Sequence, residues 1–202
     1  APAIPLHAWL PDAYPMGTPT STVFLSAFTT KSAVYLLIRT FPGADILLVI
    51  GALMVSLPIF YAVLENDIRR VLAYSLMNQV GFMLVGIGIG TELALNGAVA
   101  HAFCHIIYKA LLFMAAGSVL QMTGKIKCTE IGGLYKTMPL TCLFCMVGAA
   151  SISAFPLFSG FVSKSMIISA SAHEKIFLIW MVLQFASTGV VDHAGIKVPF
   201  FT

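Results

Sequence analysis

The sequence has 202 residues, of which 59% are hydrophobic and 9% are Asp, Glu, Lys or Arg. Soluble domains carry about 25% charged residues, and 11 basic with 8 acidic side chains are too few to cover a globule of this length. This composition excludes a soluble enzyme, a nucleic-acid-binding domain and a disordered tail. A mean hydropathy of +0.95 predicts an all-α, polytopic membrane helix bundle.

Six apolar stretches are long enough to cross a hydrocarbon core of about 30 Å, which takes about 20 helical residues. They cover residues 19–39, 43–64, 71–90, 93–122, 138–170 and 176–191. Thr18 is a suitable N-cap and Pro19 a suitable first residue for the first helix. The fifth stretch is too long for one straight span, and Pro156 removes a backbone donor in its interior. Two half-helices are therefore expected there.

The two ends of the sequence indicate a piece of a longer protein. It begins with alanine, without the basic and apolar regions of a signal peptide, and residues 197–202 start a new apolar segment. Pro2 and Pro5 indicate that residues 1–10 are the end of another broken helix. We therefore expect residues 1–202 to be a single membrane domain that is itself a fragment.

The basic residues of the short loops are distributed unevenly between the two sides of the membrane. If the spans alternate in direction, one side collects Arg69, Arg70, Lys125, Lys127, Lys136 and Lys197. The other side has only Arg39 and Lys175. The positive-inside rule therefore places the loops 65–70 and 123–137, together with the segment 9–18, in the cytoplasm.

Five basic side chains fall inside the predicted spans, namely Lys31, His101, His105, Lys109 and Lys164. Lys31 lies about 18 Å along its helix, near the bilayer centre, where a lysine costs about 2.5–3.5 kcal/mol. His101, His105 and Lys109 follow at intervals of four residues and so share one helix face. Lys164 follows the expected helix break, and broken helices in transporters line cavities in which a charge is tolerated.

This set of side chains predicts a proton relay. A neutral imidazole both donates and accepts a hydrogen bond, so it can pass a proton along a chain. A buried lysine gains or loses its proton as the charges around it change. Asn78 and Gln79 are interpreted as interhelical hydrogen-bonding residues, whereas His7, His173 and His193 are expected at the membrane interfaces.

The histidine pair also raises the alternative of a metal or haem site. Two histidines four residues apart on one helix can share a metal, but they cannot be opposite axial ligands of one haem. The Cys142-x-x-Cys145 pair lies in an apolar helix without further ligands, where cysteine behaves as a small hydrophobic residue. We expect neither a metal nor a cofactor.

Five blocks of the sequence resemble one family of membrane subunits. Residues 5–20 resemble the signature PLHxWLPDA…PTP, and residues 31–39 are similar to KxGxYxLxR with alanine in place of glycine. Residues 67–82 resemble DIKRxxAYS…QxGY, residues 101–113 match HxxxHxxxKALLF, and residues 156–164 resemble PLxxGFxSK. The family is that of the antiporter-like subunits, found in respiratory complex I and in Mrp-type multisubunit Na⁺/H⁺ antiporters.

The resemblance implies a larger transporter fold with two inverted repeats, each with one broken helix. Residues 1–40 would be the end of the first repeat and residues 43–202 most of the second. It also implies that Lys31 links two half-channels, that Lys109 and the histidines carry protons between them, and that Lys164 serves the exit side. Because a further lysine and its acidic partner would precede residue 1, the fragment alone is not expected to translocate protons.

Within the family, residues 9–15 and the Thr30-Lys31 pair resemble the D-type large subunit of the Na⁺/H⁺ antiporters. Lys164 differs from the complex I members that have glutamate at this position. The resemblance therefore favours a proton-translocating subunit of a multisubunit Na⁺/H⁺ antiporter. A proton-pumping subunit of complex I (NADH:quinone oxidoreductase) or of a related membrane hydrogenase is the alternative, and a non-conducting scaffold subunit is a third.

The same interpretation defines the expected surroundings. Partners would be the other membrane subunits of a hetero-oligomeric complex, the lipid bilayer, protons and, for an antiporter, Na⁺, with no nucleic acid. The expected location is the bacterial inner membrane. If the protein were part of complex I it would belong to an enzyme, but without redox centres of its own, because the sequence has no GxGxxG motif, P-loop or cluster-binding cysteines.

Overall fold

The computed structural model describes residues 3–202. The helices are α1 (Trp9–Met16), α2 (Pro19–Thr40), α3 (Asp45–Leu64), α4 (Ile68–Ile89), α5 (Glu92–Thr123), α6 (Pro139–Ile152), α7 (Ser159–His173), α8 (Phe177–Val190) and α9 (Val198–Phe201). A π-helical segment, Val191–Lys197, joins α8 to α9, and two short 3-10 turns lie between α5 and α6. No β-strand forms within residues 3–202. The predicted all-α membrane bundle with discontinuous helices is confirmed.

Five helices are long and apolar enough to cross a bilayer: α2, α3, α4, α5 and the continuous helix Phe177–Phe201. The N-cap predicted for α2 is confirmed, because the Thr18 hydroxyl accepts a hydrogen bond from the Ser21 backbone N–H at 3.3 Å and Pro19 is the first helical residue. Before α1, residues 4–8 form turns. The broken helix predicted over residues 1–10 also involves Ala1 and Pro2, which lie outside the described residues.

The break predicted near Pro156 is present between α6 and α7. The chain leaves α6 after Ile152 and starts α7 at Ser159. Within the break, Ala154 and Leu157 have φ values of 58° and 74°, a region that side chains with a Cβ rarely occupy and that costs about 1–3 kcal/mol per residue. The surrounding packing therefore holds the chain in this open turn.

The last crossing extends further than its hydropathy predicts. The sequence interpretation ended it at residue 191 and started a new apolar segment at residue 197, and both boundaries are wrong. Asp192 and His193 lower the local hydropathy, but the widened π-helical turns carry the helix through them to Phe201. The residues 191–201 are therefore one membrane helix with α8.

Helix α4 is the centre of the bundle and contacts α1, α2, α3, α5, α7 and α8. Its approach to α3 is close because glycines face the neighbouring backbone. A Cβ added to Gly81 would lie 2.7 Å from the Val55 backbone nitrogen, and one added to Gly51 would lie 2.9 Å from that of Val85. Small residues are typical of such membrane helix interfaces. They bring the α3 backbone within reach of polar side chains on α4.

The charged loops lie together at one end of the bundle. Arg70 pairs with Asp12 at 3.2 Å, and the backbones of Asp67 and Lys127 form an isolated bridge. Lys197 donates hydrogen bonds to carbonyl groups at the end of α3. The segment 9–18, the two basic loops and Lys197 thus share one side, as alternating spans require. The sides of the bundle expose large apolar residues, including Phe24, Phe28, Phe103 and Ile107.

Candidate functional site

All five basic residues predicted for the relay are buried in the bundle. Lys31 is 8% exposed, Lys164 is 1% exposed, and His101, His105 and Lys109 are fully buried. The two histidines and Lys109 come from one face of α5, while Lys31 comes from α2 and Lys164 from α7, both of which pack against α5. We refer to these five side chains as the basic row.

Each of the three lysines of the basic row donates a hydrogen bond to a backbone carbonyl group. Lys31 Nζ donates to the Ser26 oxygen at 2.6 Å, Lys109 Nζ to the Leu72 oxygen at 2.9 Å, and Lys164 Nζ to the Ile152 oxygen at 2.7 Å. Within residues 3–202, every ion pair instead involves Arg70 or Lys127 at the end of the bundle. An amine donates to a carbonyl whether it is charged or neutral, so these contacts persist when a proton leaves.

The contact of Lys164 depends on the helix break. Ile152 is the last residue of α6, so its carbonyl is among the groups that have no partner within the helix and carry the negative end of the helix dipole. A Cβ on Gly160 would lie 1.9 Å from the Ser151 oxygen, so only glycine lets α7 start this close to the end of α6. The break thus places a free carbonyl group next to the buried amine of Lys164.

The two histidines have different surroundings. His101 Nδ1 lies 2.9 Å from the Ser163 hydroxyl, and its Nε2 lies 3.1 Å from the Gln79 side-chain oxygen. The His105 ring is equally buried, but neither nitrogen has a hydrogen-bond partner among the described residues. The ring centroids are 6.1 Å apart. Buried polar atoms without a protein partner are positions that internal water can solvate.

Packing distances and helix spacing order the row in space. Lys164 Nζ lies 5.4 Å from the centroid of the Phe82 ring, which is 6.1 Å from the centroid of His101. His105 and Lys109 follow His101 at intervals of about one turn of α5. The row therefore runs from Lys164 through the two histidines to Lys109, and Lys31 joins it from α2. In residues 3–202, no group of three His, Cys, Asp or Glu side chains could hold a metal ion.

A polar cleft leads from Lys164 to the surface of the bundle. It lies between α7 and α8 and has a volume of about 430 Å³. Its polar lining residues are Ser153, Lys164, Ser165, Ser169, Gln184, Ser187 and Thr188, and its apolar ones are Ala154, Phe161, Ile168 and Val191. Hydroxyl and amide groups of this kind can hydrogen-bond water. Lys164 is therefore a member of the basic row that lies beside a cleft with hydroxyl and amide groups.

The structure brings in a further histidine that the sequence analysis placed elsewhere. His193 was expected at a membrane interface, but it is fully buried in the π-helical segment. Neither of its ring nitrogens has a hydrogen-bond partner among the described residues. The sequence signal was weak because Asp192 precedes this histidine and Lys197 follows it, so the segment does not have the hydropathy of a span.

Asn78 and Gln79 are interhelical hydrogen-bonding residues, as predicted. Asn78 Nδ2 donates to the Val55 carbonyl on α3, and the Gln79 side-chain oxygen accepts from His101 and, at 3.3 Å, from the Tyr108 hydroxyl. Sequence reasoning did not connect these amides, or Tyr108, to the histidines. Their helix positions are readable, but their partners depend on how three helices pack.

Arg69 has a structural role next to the row. Its guanidinium is buried and donates to the carbonyl groups of Pro15 and Gly17 and to the Thr22 hydroxyl, each at 2.7 Å. These bonds join the turn before α2 to α4, and so fix the helix that carries Lys31. Nearby, burial raises the pKa of Tyr14 to about 12, which keeps its phenol neutral.

Known proteins share both the sequence and the fold of this bundle. Residues 1–189 match the family described as NADH:quinone oxidoreductase/Mrp antiporter, TM. The chain belongs to this family. It is therefore a multi-pass membrane protein of the antiporter-like group, as the sequence motifs indicated.

Individual relatives come from different membrane complexes. The chain is 36% identical over 180 residues to NADH-quinone oxidoreductase subunit L of Neisseria meningitidis serogroup A, covering 85% of this chain and 26% of that protein. The structure of a membrane-bound sulfane sulfur reductase, an archaeal respiratory membrane complex, gives a TM-score of 0.88 at 32% identity, over 95% of this chain and 41% of that one. The Mrp complex of Dietzia sp. DQ12-45-1b gives 0.91 at 28% identity, over 98% and 39%.

The relatives also define how much of the family is present. The chain spans 26% of the length of each of the first curated relatives that it matches. Most of these relatives are named as chain 5 or subunit L of an NADH oxidoreductase. The family thus includes subunits of NADH oxidoreductases as well as Mrp antiporters.

Proposed function

We propose that this chain is part of a proton-translocating subunit of a multisubunit Na⁺/H⁺ antiporter, with protons relayed along the basic row. The observation that carries the proposal is the placement of three buried lysines on backbone carbonyl groups, with no carboxylate of residues 3–202 paired to them. Buried, unpaired amines are costly in a membrane. A proton path provides a reason for their presence.

Each part of the row has a separate task in this scheme. The lysines bind and release protons while they keep their carbonyl contacts. His105, with two unpartnered nitrogens, can receive a proton on one side of its ring and release it on the other. A proton on one member repels a proton on the next because the surrounding dielectric is low. Lys164, beside the polar cleft, exchanges protons with the outside.

The choice of an antiporter rests on the motifs that resemble the D-type large subunit, and the similarity to an Mrp complex supports it. The second candidate function is that of a proton-pumping subunit in an NADH:quinone oxidoreductase-type complex, which the names of the curated relatives favour. In either case the protein would assemble with other membrane subunits, and the bacterial inner membrane is the proposed location. Residues 43–202 would then form most of one inverted repeat.

The decisive experiment replaces Lys109 in the native membrane complex. Lys109→Ala is expected to lower proton flux roughly 10²-fold, the scale of one acid–base group, when the complex is reconstituted in vesicles with a pH-sensitive dye. Lys125, an exposed loop lysine, provides the matched control, and Lys125→Ala should leave flux unchanged. Co-purification of the partner subunits shows that assembly is intact.

The same vesicles separate the proposed function from its alternatives. A scaffold subunit predicts unaltered flux in correctly assembled Lys109→Ala complexes, and this result would contradict the relay. Replacing Na⁺ by choline should abolish proton movement in an antiporter. An oxidoreductase complex would instead pump protons when it receives its electron donor, with or without Na⁺.

A further inference from the structure

We infer that Gln79 is a positioning residue that holds His101 in a single tautomer, with the hydrogen on Nε2. His101 can then exchange a proton only at Nδ1, on the side of α7. This inference rests on the proposed function and extends it, because it gives the two histidines of the row different tasks.

The orientation of the Asn78 and Gln79 side-chain amides is determined by the Val55 backbone carbonyl, which can only accept hydrogen bonds. The Asn78 side chain must therefore direct its NH₂ group towards this carbonyl. The Asn78 oxygen then points the other way and accepts from Gln79 Nε2 at 2.7 Å. If the Asn78 amide were turned over, its oxygen would face the Val55 carbonyl oxygen. If the Gln79 amide were turned over, its oxygen would face the Asn78 side-chain oxygen.

The Gln79 side-chain oxygen therefore faces α5. It lies 3.1 Å from His101 Nε2 and 3.3 Å from the Tyr108 hydroxyl. An amide oxygen has no hydrogen to donate, so the hydrogen of this contact belongs to His101 Nε2. In a neutral imidazole the other nitrogen is then an acceptor, and His101 Nδ1 can receive the hydrogen bond of the Ser163 hydroxyl, 2.9 Å away.

The exchange at Nδ1 uses Ser163 in both protonation states. When His101 takes up a proton, the O–H bond of Ser163 breaks and an N–H bond forms at Nδ1. The serine oxygen takes a replacement proton from a protonated water molecule, which is left as neutral water. Protonated Nδ1 then donates to the serine oxygen, and the hydroxyl can turn to the Ser159 carbonyl, 3.2 Å away. Release of the proton reverses these steps.

The proton on Nε2 has no comparable exit. A side-chain amide oxygen is not protonated near neutral pH, so Gln79 accepts the hydrogen bond but not the proton. A proton that enters His101 at Nδ1 therefore has to leave from Nδ1. The His105 nitrogens have no such partner within residues 3–202, so both tautomers of that ring are accessible. His105 passes protons through its ring, whereas His101 takes up and returns protons at Nδ1 only. Protons therefore travel between the Lys164 end of the row and His105 through water at the unpartnered His105 nitrogens.

The test is nitrogen-15 NMR of histidine-labelled native complex in lipid, with signals assigned by His101→Asn and His105→Asn variants. His101 is expected to show only the Nε2–H tautomer at neutral pH. Gln79→Leu removes the acceptor, and a second signal from the Nδ1–H tautomer should appear. Gln121 is an exposed glutamine on the helix that carries His101, and Gln121→Leu should leave the His101 signals unchanged.

A Gln79→Glu variant covers the case in which the leucine variant fails to fold. A protonated glutamate can donate to Asn78 and accept from His101, so the single tautomer should be retained. An Nδ1–H tautomer in the unaltered protein, or a His101 signal that Gln79→Leu does not change, overturns the inference. Because NMR does not depend on flux, that result leaves the Lys109 test intact, and a failed Lys109 test leaves the tautomer assignment intact.

Discussion

The charged side chains at the end of the bundle and those in its interior are held by different kinds of partner. At the end, Arg70 pairs with Asp12 at 3.2 Å and Lys127 lies 3.9 Å from Glu130, all of them partly exposed. In the interior, each lysine contacts one backbone carbonyl. A carboxylate holds the lysine in its charged form, whereas a carbonyl accepts a hydrogen bond from either form. The proposed relay requires this difference, because its amines have to change charge.

The largest effect is expected at Lys164, where the interior contact coincides with the helix break. Lys164→Met removes the amine from the Ile152 carbonyl and from the polar cleft, so proton flux should fall roughly 10²-fold while the complex still assembles. Lys175→Met replaces an exposed lysine just after the end of α7 and should leave flux unchanged. Equal flux from the two variants would contradict the distinction between interior and exposed lysines.

A large effect on stability is expected at Arg69, which has no part in the proposed proton transfer. Arg69→Met leaves the half-buried carbonyl groups of Pro15 and Gly17 without this donor, so the loss should reach roughly 3 kcal/mol. Thermal unfolding of the purified complex measures it. Arg39→Met, at an exposed arginine, is the control, and Arg69→Lys should recover only part of the loss because an ammonium lacks the guanidinium fork. A melting temperature unchanged by Arg69→Met would refute the structural role.

The smallest effect is expected at the neighbouring arginine. Arg70 is partly exposed and its pair with Asp12 is screened by solvent, so Arg70→Gln should change stability by less than about 1 kcal/mol and leave flux unaltered. Thermal unfolding and the vesicle assay measure both quantities on the same preparation. A loss of stability as large as that of Arg69→Met would contradict the expectation that the exposed Arg70–Asp12 ion pair contributes little to stability.

Much of the fold was predictable because its causes are local. The apolar stretches, the Thr18-Pro19 helix start and the break at Pro156 follow from hydropathy and from the missing proline N–H. The continuation of α8 through Asp192 and His193 was missed for the same reason, since both residues lower the hydropathy although the helix continues and buries His193. The rule that found the spans also misplaced the end of the last one.

Residue types and their spacing were enough to identify the family, the all-helical membrane fold and the five basic residues, because charge in an apolar helix is visible without coordinates. The contacts of those residues could be learned only from the packed bundle. The carbonyl partners of Lys109 and Lys164, the burial of His193 and the amide pair that orients His101 all depend on how the helices pack. That packing is set by the distance between helices, which is short where Gly81 and Gly160 face a neighbouring backbone.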